Sequence, residues 1–283
     1  MQYSLDLIRT TLRGLYPPGE IASFTRMILE ELCGFTTVDI ILHKDTILRD
    51  EIHKKIASIV ERLSHYEPIQ YVLGSTMFCG RRFAVGKGVL IPRPETEELV
   101  DCIIRQNQHK KPEYIADYCT GSGCIAITLA KAWEHVCVEG WDISDEALAY
   151  ARRNACDNEA DVEWGIRDVL AYEPQDKECY DVVVSNPPYV LESEKVTMEH
   201  NVLDYEPHNA LFVPDENPLL FYEAIARIAQ SELRPGGKLY FEINSRMGDA
   251  CRSLLQNKGW KEIVIYKDFS GFDRIIKAEK QNC

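Results

Sequence analysis

Apolar residues recur every three to four positions through the first part of the chain. Leu5, Ile8, Leu12 and Leu15 share one helical face, and Pro17-Pro18-Gly19 interrupts it. Ile21, Phe24, Ile28 and Leu32 form a second stripe with Gly34 as its C-cap, and Ile52, Ile56, Ile59 and Leu63 a third that ends near Glu67-Pro68. Helices with one apolar stripe bury it against one another, so residues 1–75 read as a small helical bundle. Periodicity leaves open whether that bundle is a structural cap or a substrate-docking module.

Over residues 76–92 the period changes. Phe78, Arg82-Phe83-Ala84-Val85, Gly86, Gly88 and Val89-Leu90-Ile91 read as a short hairpin with glycine turns, placed as a linker. From residue 93 helices and strands alternate. Helices are predicted at 95–106, 124–133, 146–156, 219–233 and 250–258, and strands at 114–118, 136–141, 162–166, 180–185, 238–243, 262–266 and 274–278. Arg234-Pro235-Gly236-Gly237 is read as the break between a helix and the following strand. This alternation specifies an α/β fold with a mostly parallel sheet covered on both faces, and the last two strands give it an antiparallel end.

Composition narrows the function. The 283 residues carry a net charge of -13, which argues against direct nucleic-acid binding, because phosphate neutralisation needs Lys and Arg. No apolar run is long enough to span a membrane, and the first residues lack a secretory pattern. The ten cysteines are scattered, Cys283 among them, with no Cys-x-x-Cys pair and no zinc-type histidine spacing. They fit a reducing cytoplasm, with no metal expected.

In such sheets ligands bind beyond the carboxyl ends of the strands. The first exit is Asp117-Tyr118-Cys119-Thr120-Gly121-Ser122-Gly123, where glycines let backbone approach a ligand. The second presents Asp142, about 20 residues further on, the spacing of a carboxylate that accepts ribose hydroxyls. The third is Arg167-Asp168-Val169, with a carboxylate for an adenine amine. Together they fit an adenosine-containing cofactor. The third glycine of the dinucleotide fingerprint is missing, which favours S-adenosylmethionine (SAM) over NAD.

The fourth exit is Asn186-Pro187-Pro188-Tyr189. Pro187 pushes Asn186 into extended geometry, and two prolines supply carbonyls without N–H donors. The Asn186 side-chain oxygen and the Pro187 carbonyl then match the two donors of a planar NH2 group, with Tyr189 as a flat surface beside it.

Asp-x-x-Thr-Gly-Ser-Gly followed by Asn-Pro-Pro-Tyr resembles the class I SAM-dependent methyltransferases, with a Rossmann-like fold, that modify planar amino groups. Ile91-Pro92-Arg93-Pro94-Glu95-Thr96-Glu97 resembles the hallmark of the HemK/PrmC protein-glutamine methyltransferases. Glu67-Pro68-Ile69-Gln70-Tyr71, Tyr205-Glu206-Pro207-His208 and Asp273-Arg274 fall in that family's order. The resemblance implies methylation of the glutamine in the Gly-Gly-Gln motif of class I peptide chain release factors, with S-adenosylhomocysteine as co-product. It implies a docking role for residues 1–75 and a methyltransferase domain over 93–283. It assigns Asp117, Cys119, Thr120, Gly121, Ser122, Gly123, Asp142, Asp168 and Val169 to the cofactor. Asn186, Pro187, Pro188 and Tyr189 go to the target amide, with Asn186 also near the transferring methyl. Cys119 replaces a usual glycine, Val169 a frequent aromatic, and Arg246-Met247-Gly248 lacks the glutamine common before this glycine. Arg93 and Glu95 are open between an ion pair fixing the hairpin and a substrate gate. Glutamine methylation of a ribosomal protein, exocyclic-amine methylation of adenine or guanine, and a non-catalytic SAM-binding module are the alternatives.

Overall fold

The structure, a computed structural model, describes residues 1–42, 46–174 and 178–281, so Cys283 lies outside the described residues. The chain forms two compact units. The first is Met1–Ser75 together with Glu199–Tyr205, and the second takes up the rest.

In the first unit, α1 is Gln2–Leu12, α2 Pro18–Cys33, α3 Thr37–Leu42, α4 Asp50–Ser64 and α5 Ile69–Leu73. Ile8, Leu12, Ile28, Leu29, Ile56 and Leu63 are fully buried at its centre, where the three predicted stripes meet. Pro18 opens α2, where its missing N–H costs nothing, and Gly34 closes it at φ +67, donating to the Glu30 carbonyl. Leu15 falls outside α1, which ends before Gly14 at φ +85. α3 and α5 were not predicted: one and a half turns show no period.

The second unit opens at Thr76 within β1 (Ser75–Phe78), which pairs with β2 (Arg81–Ala84) in a two-stranded sheet turned at Cys79 and Gly80, both at positive φ. The expected hairpin is thereby corrected. Gly86 and Gly88 do not turn it, and Val89-Leu90-Ile91 is not a strand. These glycines let the segment lie close against a helix, since a Cβ would fall 2.2 Å from the Tyr150 hydroxyl at Gly86 and 2.2 Å from the Glu146 carboxyl at Gly88.

Next come α6 (Pro94–Gln106), β3 (Tyr114–Tyr118), α7 (Cys124–Ala132), β4 (Cys137–Asp142), α8 (Asp145–Asp157), β5 (Glu163–Ile166) and β6 (Tyr180–Ser185). A short parallel pair, β7 (Val190–Leu191) and β8 (Phe212–Val213), follows; between them in sequence, α9 (His200–Leu203) belongs to the first unit. The chain ends with α10 (Leu220–Glu232), β9 (Leu233–Glu242), α11 (Gly248–Asn257), β10 (Lys261–Lys267) and β11 (Asp273–Glu279).

The main sheet runs β10-β11-β9-β6-β3-β4-β5. β11 is antiparallel to both neighbours, and the other pairings are parallel. β6 buries both faces: Val182 and Val184 join the α6/α7 layer, and Val183 joins the α10/α11 layer. The predicted break at 234–237 lies inside β9. Pairing with β6 jumps from Tyr180 opposite Leu233 to Val182 opposite Lys238, so Pro235, which has no N–H to give, sits in a bulge. From β3 the chain winds outward through β4 and β5, then returns to β6 on the other side. This switch point opens a crevice at the strands' carboxyl ends.

Candidate active site

A cavity of about 230 Å³ occupies that crevice. Cys119, Thr120, Gly121, Ser122, Asp142, Asp168, Val169, Asn186 and Pro188 all line it, brought together from four strand exits. Asp117, Gly123, Pro187 and Tyr189 stand off its wall.

The first exit loop is held through its backbone. Thr120 N–H donates to the Trp141 carbonyl (3.1 Å), and Gly121 N–H to Asp142 Oδ2 (2.8 Å). Asp142 Oδ1 accepts from Ser144 N–H at 2.9 Å, which ties the next loop to the same carboxylate. Burial raises the Asp142 carboxyl, and these backbone donors partly offset it. Gly121 and Gly123 take φ +56 and +78, and Cys119 takes +60 without being a glycine. A Cβ at Gly123 would meet the Trp164 ring at 2.7 Å, so glycine there serves close packing as well as the turn.

Asp117 lies beneath this loop with no exposure. Its Oδ2 accepts from the Thr120 hydroxyl (2.6 Å), while Oδ1 is buried without a partner among the described residues. Burial pushes the carboxyl up to about 7, against the pull of Thr120 and the Ala126 backbone. At the third exit, Asp168 Oδ1 accepts from Leu170 N–H (2.9 Å), and Val169 is buried in the core as well as on the wall. Beside them the Arg167 guanidinium lies 3.6 Å from the Trp141 ring centre and 4.0 Å from that of Tyr172.

The Gly88–Arg93 segment forms another side of the cavity. The Arg93 guanidinium pairs with the buried Glu206 carboxylate, whose other oxygen accepts from Ile91 N–H (3.1 Å). Arg93 is thus paired with Glu206 rather than Glu95, which does not line the cavity, and the neighbouring Glu97 accepts from Cys79 N–H at 2.6 Å.

At the fourth exit, Asn186 Nδ2 donates to the Thr96 hydroxyl (3.2 Å), and among the described residues Oδ1 takes no hydrogen bond. Thr96 in turn donates to Glu242 Oε2 (2.6 Å), and the Tyr189 hydroxyl to Glu242 Oε1 (2.9 Å). Tyr189, expected as a flat surface for the amide, is therefore tethered by its hydroxyl, because a buried phenol must find an acceptor. Glu242 is fully buried. Burial raises its carboxyl, while Thr96, Tyr189 and Arg274 pull it down.

Thr96, Glu242, Glu206 and Arg167 received no role from the sequence. A signal existed for one of them: Glu242 interrupts the apolar run Leu239-Tyr240-Phe241, and a carboxylate within a buried strand needs partners.

Residues 94–206 match the Methyltransferase small domain model, and residues 6–74 match the PrmC N-terminal domain model. The release factor glutamine methyltransferase of Bacteroides thetaiotaomicron is 46% identical over 96% of this chain and 98% of its own. That of Flavobacterium psychrophilum is 43% identical over 94% of both, and that of Lactococcus lactis 38% identical over 97% and 99%. Among solved structures, a T. thermophilus 16S rRNA N2 methyltransferase in complex with AdoMet and guanosine superposes with TM-score 0.52 at 16% identity, covering 73% of this chain and 50% of that one. It shares the class I methyltransferase fold.

Proposed function

The chain belongs to the family of release factor glutamine methyltransferases, and on that premise we propose its reaction and the residues that carry it. A methyl group passes from SAM to the side-chain amide nitrogen of the glutamine in the Gly-Gly-Gln motif of class I peptide chain release factors. The observation that supports this most is the position of Asn186 and Pro188 on the wall of the cavity made by the three preceding strand exits.

The residues present fit the cofactor. Asp142, itself oriented by two backbone donors, would accept the ribose hydroxyls. Ile143 and Leu170, large apolar side chains left 57% and 41% exposed on the same wall, would cover the adenine together with Val169, and Asp168 would take its amine. Cys119, Thr120, Gly121, Ser122 and Gly123 would run along the amino-acid part, over the orphaned Asp117 oxygen. When bound, SAM supplies an electrophilic methyl on a sulfonium.

The chain's own work is on the amide. A glutamine nitrogen is a weak nucleophile because its lone pair is conjugated with the carbonyl. Asn186 Oδ1 and the Pro187 carbonyl would accept its two N–H bonds, raising electron density on nitrogen and fixing its direction for attack. No strong base is needed: once methylated, the nitrogen is acidic and loses its proton to water. Pro188, Val89 and Ile91 on the wall would limit water beside the amide once the cofactor is bound. The net charge of -13 favours a protein over a nucleic-acid substrate. A release-factor substrate would put the reaction in the cytoplasm. Among the described residues no helix is long and apolar enough to cross a membrane.

The test is incubation with labelled SAM and purified release factors, ribosomal proteins and RNA, read by mass spectrometry. Label on the release-factor glutamine supports the proposal, and label only on ribosomal protein or RNA overturns it. Asn186→Ala should lower turnover at least about tenfold, roughly 1.4 kcal/mol of barrier, with a smaller change in SAM affinity. Unchanged turnover would remove Asn186 from the mechanism.

A further inference from the structure

We propose that Glu242, acting through Thr96, is the positioning residue that decides which end of the Asn186 amide faces the reacting nitrogen. The inference rests on the reading of Asn186 given above.

An asparagine amide has an acceptor end and a donor end of nearly the same shape. Packing cannot tell them apart, so a hydrogen-bond partner of fixed polarity must do it. Only Oδ1 can receive an N–H of the substrate amide. The NH2 end would set donor against donor.

Here the polarity is set two residues away. β6 and β9 are parallel neighbours with Ser185 opposite Phe241, so the next residues come side by side: Asn186 just past the end of β6, and Glu242 as the last residue of β9, opposite Ile275 of β11. Glu242 as a carboxylate can only accept. It takes the Tyr189 hydroxyl on Oε1 at 2.9 Å and the Thr96 hydroxyl on Oε2 at 2.6 Å. Thr96 has one hydroxyl hydrogen, and Glu242 uses it. Toward Asn186, Thr96 therefore offers only a lone pair, and Nδ2 turns to meet it at 3.2 Å. Oδ1 is left at the other end. Thr96 and Glu242 are both almost wholly buried, so water cannot substitute for either bond cheaply.

This chain of polarity can be inverted without changing its shape. In Glu242→Gln, Oε1 still accepts from Tyr189, but the new NH2 donates to Thr96. The Thr96 hydrogen is then released toward Asn186, whose amide turns over and presents NH2 to the substrate. The heavy-atom count is unchanged and Tyr189, Thr96 and Asn186 each keep a partner, while the NH2 brings a second hydrogen and the charge facing Arg274 is lost.

The experiment measures kcat with labelled SAM and a purified release factor, SAM affinity by calorimetry, and unfolding temperature, on the full chain. Glu242→Gln is expected to lower kcat at least about tenfold while SAM affinity stays within about twofold. Thr96→Val should also lower kcat, and Thr96→Ser, which restores the hydroxyl, should recover most of that loss. Full kcat in Glu242→Gln, with Asn186→Ala impaired, would overturn the relay and leave the role of Asn186 standing. Full kcat in Asn186→Ala would instead remove the reading on which the relay rests. Parallel loss of kcat and SAM affinity in Glu242→Gln would mark a general distortion and also overturn it. Should Glu242→Gln fail to fold, the Thr96→Val and Thr96→Ser pair decides, since absence of rescue by serine would refute the relay.

Discussion

Two acceptors flank β3 at the crevice, and they are held in opposite ways. Asp142 ends β4, and both its oxygens take backbone N–H groups, from Gly121 and Ser144. Asn186 follows β6, and its amide is fixed by the Thr96 side chain, itself fixed by the Glu242 side chain. A backbone donor cannot be mutated away, so Asp142 keeps its orientation whatever its neighbours become, provided the loops hold their path. Asn186 depends on the chemical identity of two buried side chains. The cofactor half should therefore be sensitive at the acceptor itself, and the amide half also at a distance.

The largest effect expected on the backbone-held side is at Asp142. Asp142→Ala strands the Gly121 and Ser144 N–H groups and removes the proposed ribose acceptor. Charge-assisted bonds contribute about 1.5–3 kcal/mol each, so SAM affinity measured by calorimetry should fall about 100-fold. Equal affinity would mean the loop, and not the carboxylate, carries the binding, and the contrast with Asn186 would disappear.

Next is Asp117, on the same side but with one oxygen unpartnered. Its carboxyl stands at about 7 in the fold against an ordinary 3.8. Below about pH 4 both folded and unfolded chains hold the proton, and the group contributes nothing. Between about 4 and 7 the unfolded chain releases it while the folded chain keeps it, so stability falls as pH rises, and above 7 the full penalty is present. Asp117→Asn should escape this. Its stability relative to the wild type, from denaturant titration, should improve by on the order of 2 kcal/mol between pH 5 and pH 8. A pH-independent difference would show that Oδ1 is compensated after all.

The same contrast explains what could be read from the chain. Apolar periodicity is local, so the alternating elements and the antiparallel end of the sheet were legible, and so were the exits with their glycines and carboxylates. Asp142 could be singled out as a candidate because its partners lie in strand-exit loops of predictable spacing. Glu242 and Thr96 could not be joined to Asn186, because 56 and 90 residues separate them in sequence and only the sheet order brings them together. The hairpin was misjudged for a related reason. Gly86 and Gly88 look like turn residues, yet they are required by the close passage of Tyr150 and Glu146, which no local pattern shows.

The smallest expected effect is at Cys119, where the backbone-held side can be probed through its backbone alone. Its φ of +60 places a side chain in the left-handed region, a strain of about 1 kcal/mol that glycine would relieve. Glycine also adds about 0.5–1 kcal/mol of unfolded-state entropy and gives up the thiol's packing against the core. These terms nearly cancel, so Cys119→Gly should change unfolding free energy by less than about 1 kcal/mol, whereas Cys119→Val, branched at Cβ, should destabilise by more than that. SAM affinity should stay within about threefold in Cys119→Gly, because Thr120 and Gly121 still donate to Trp141 and Asp142 immediately after it. A larger change in affinity at unchanged stability would mean that the cysteine side chain, and not the backbone bonds, sets the path of the loop. The cofactor half would then be held as the amide half is.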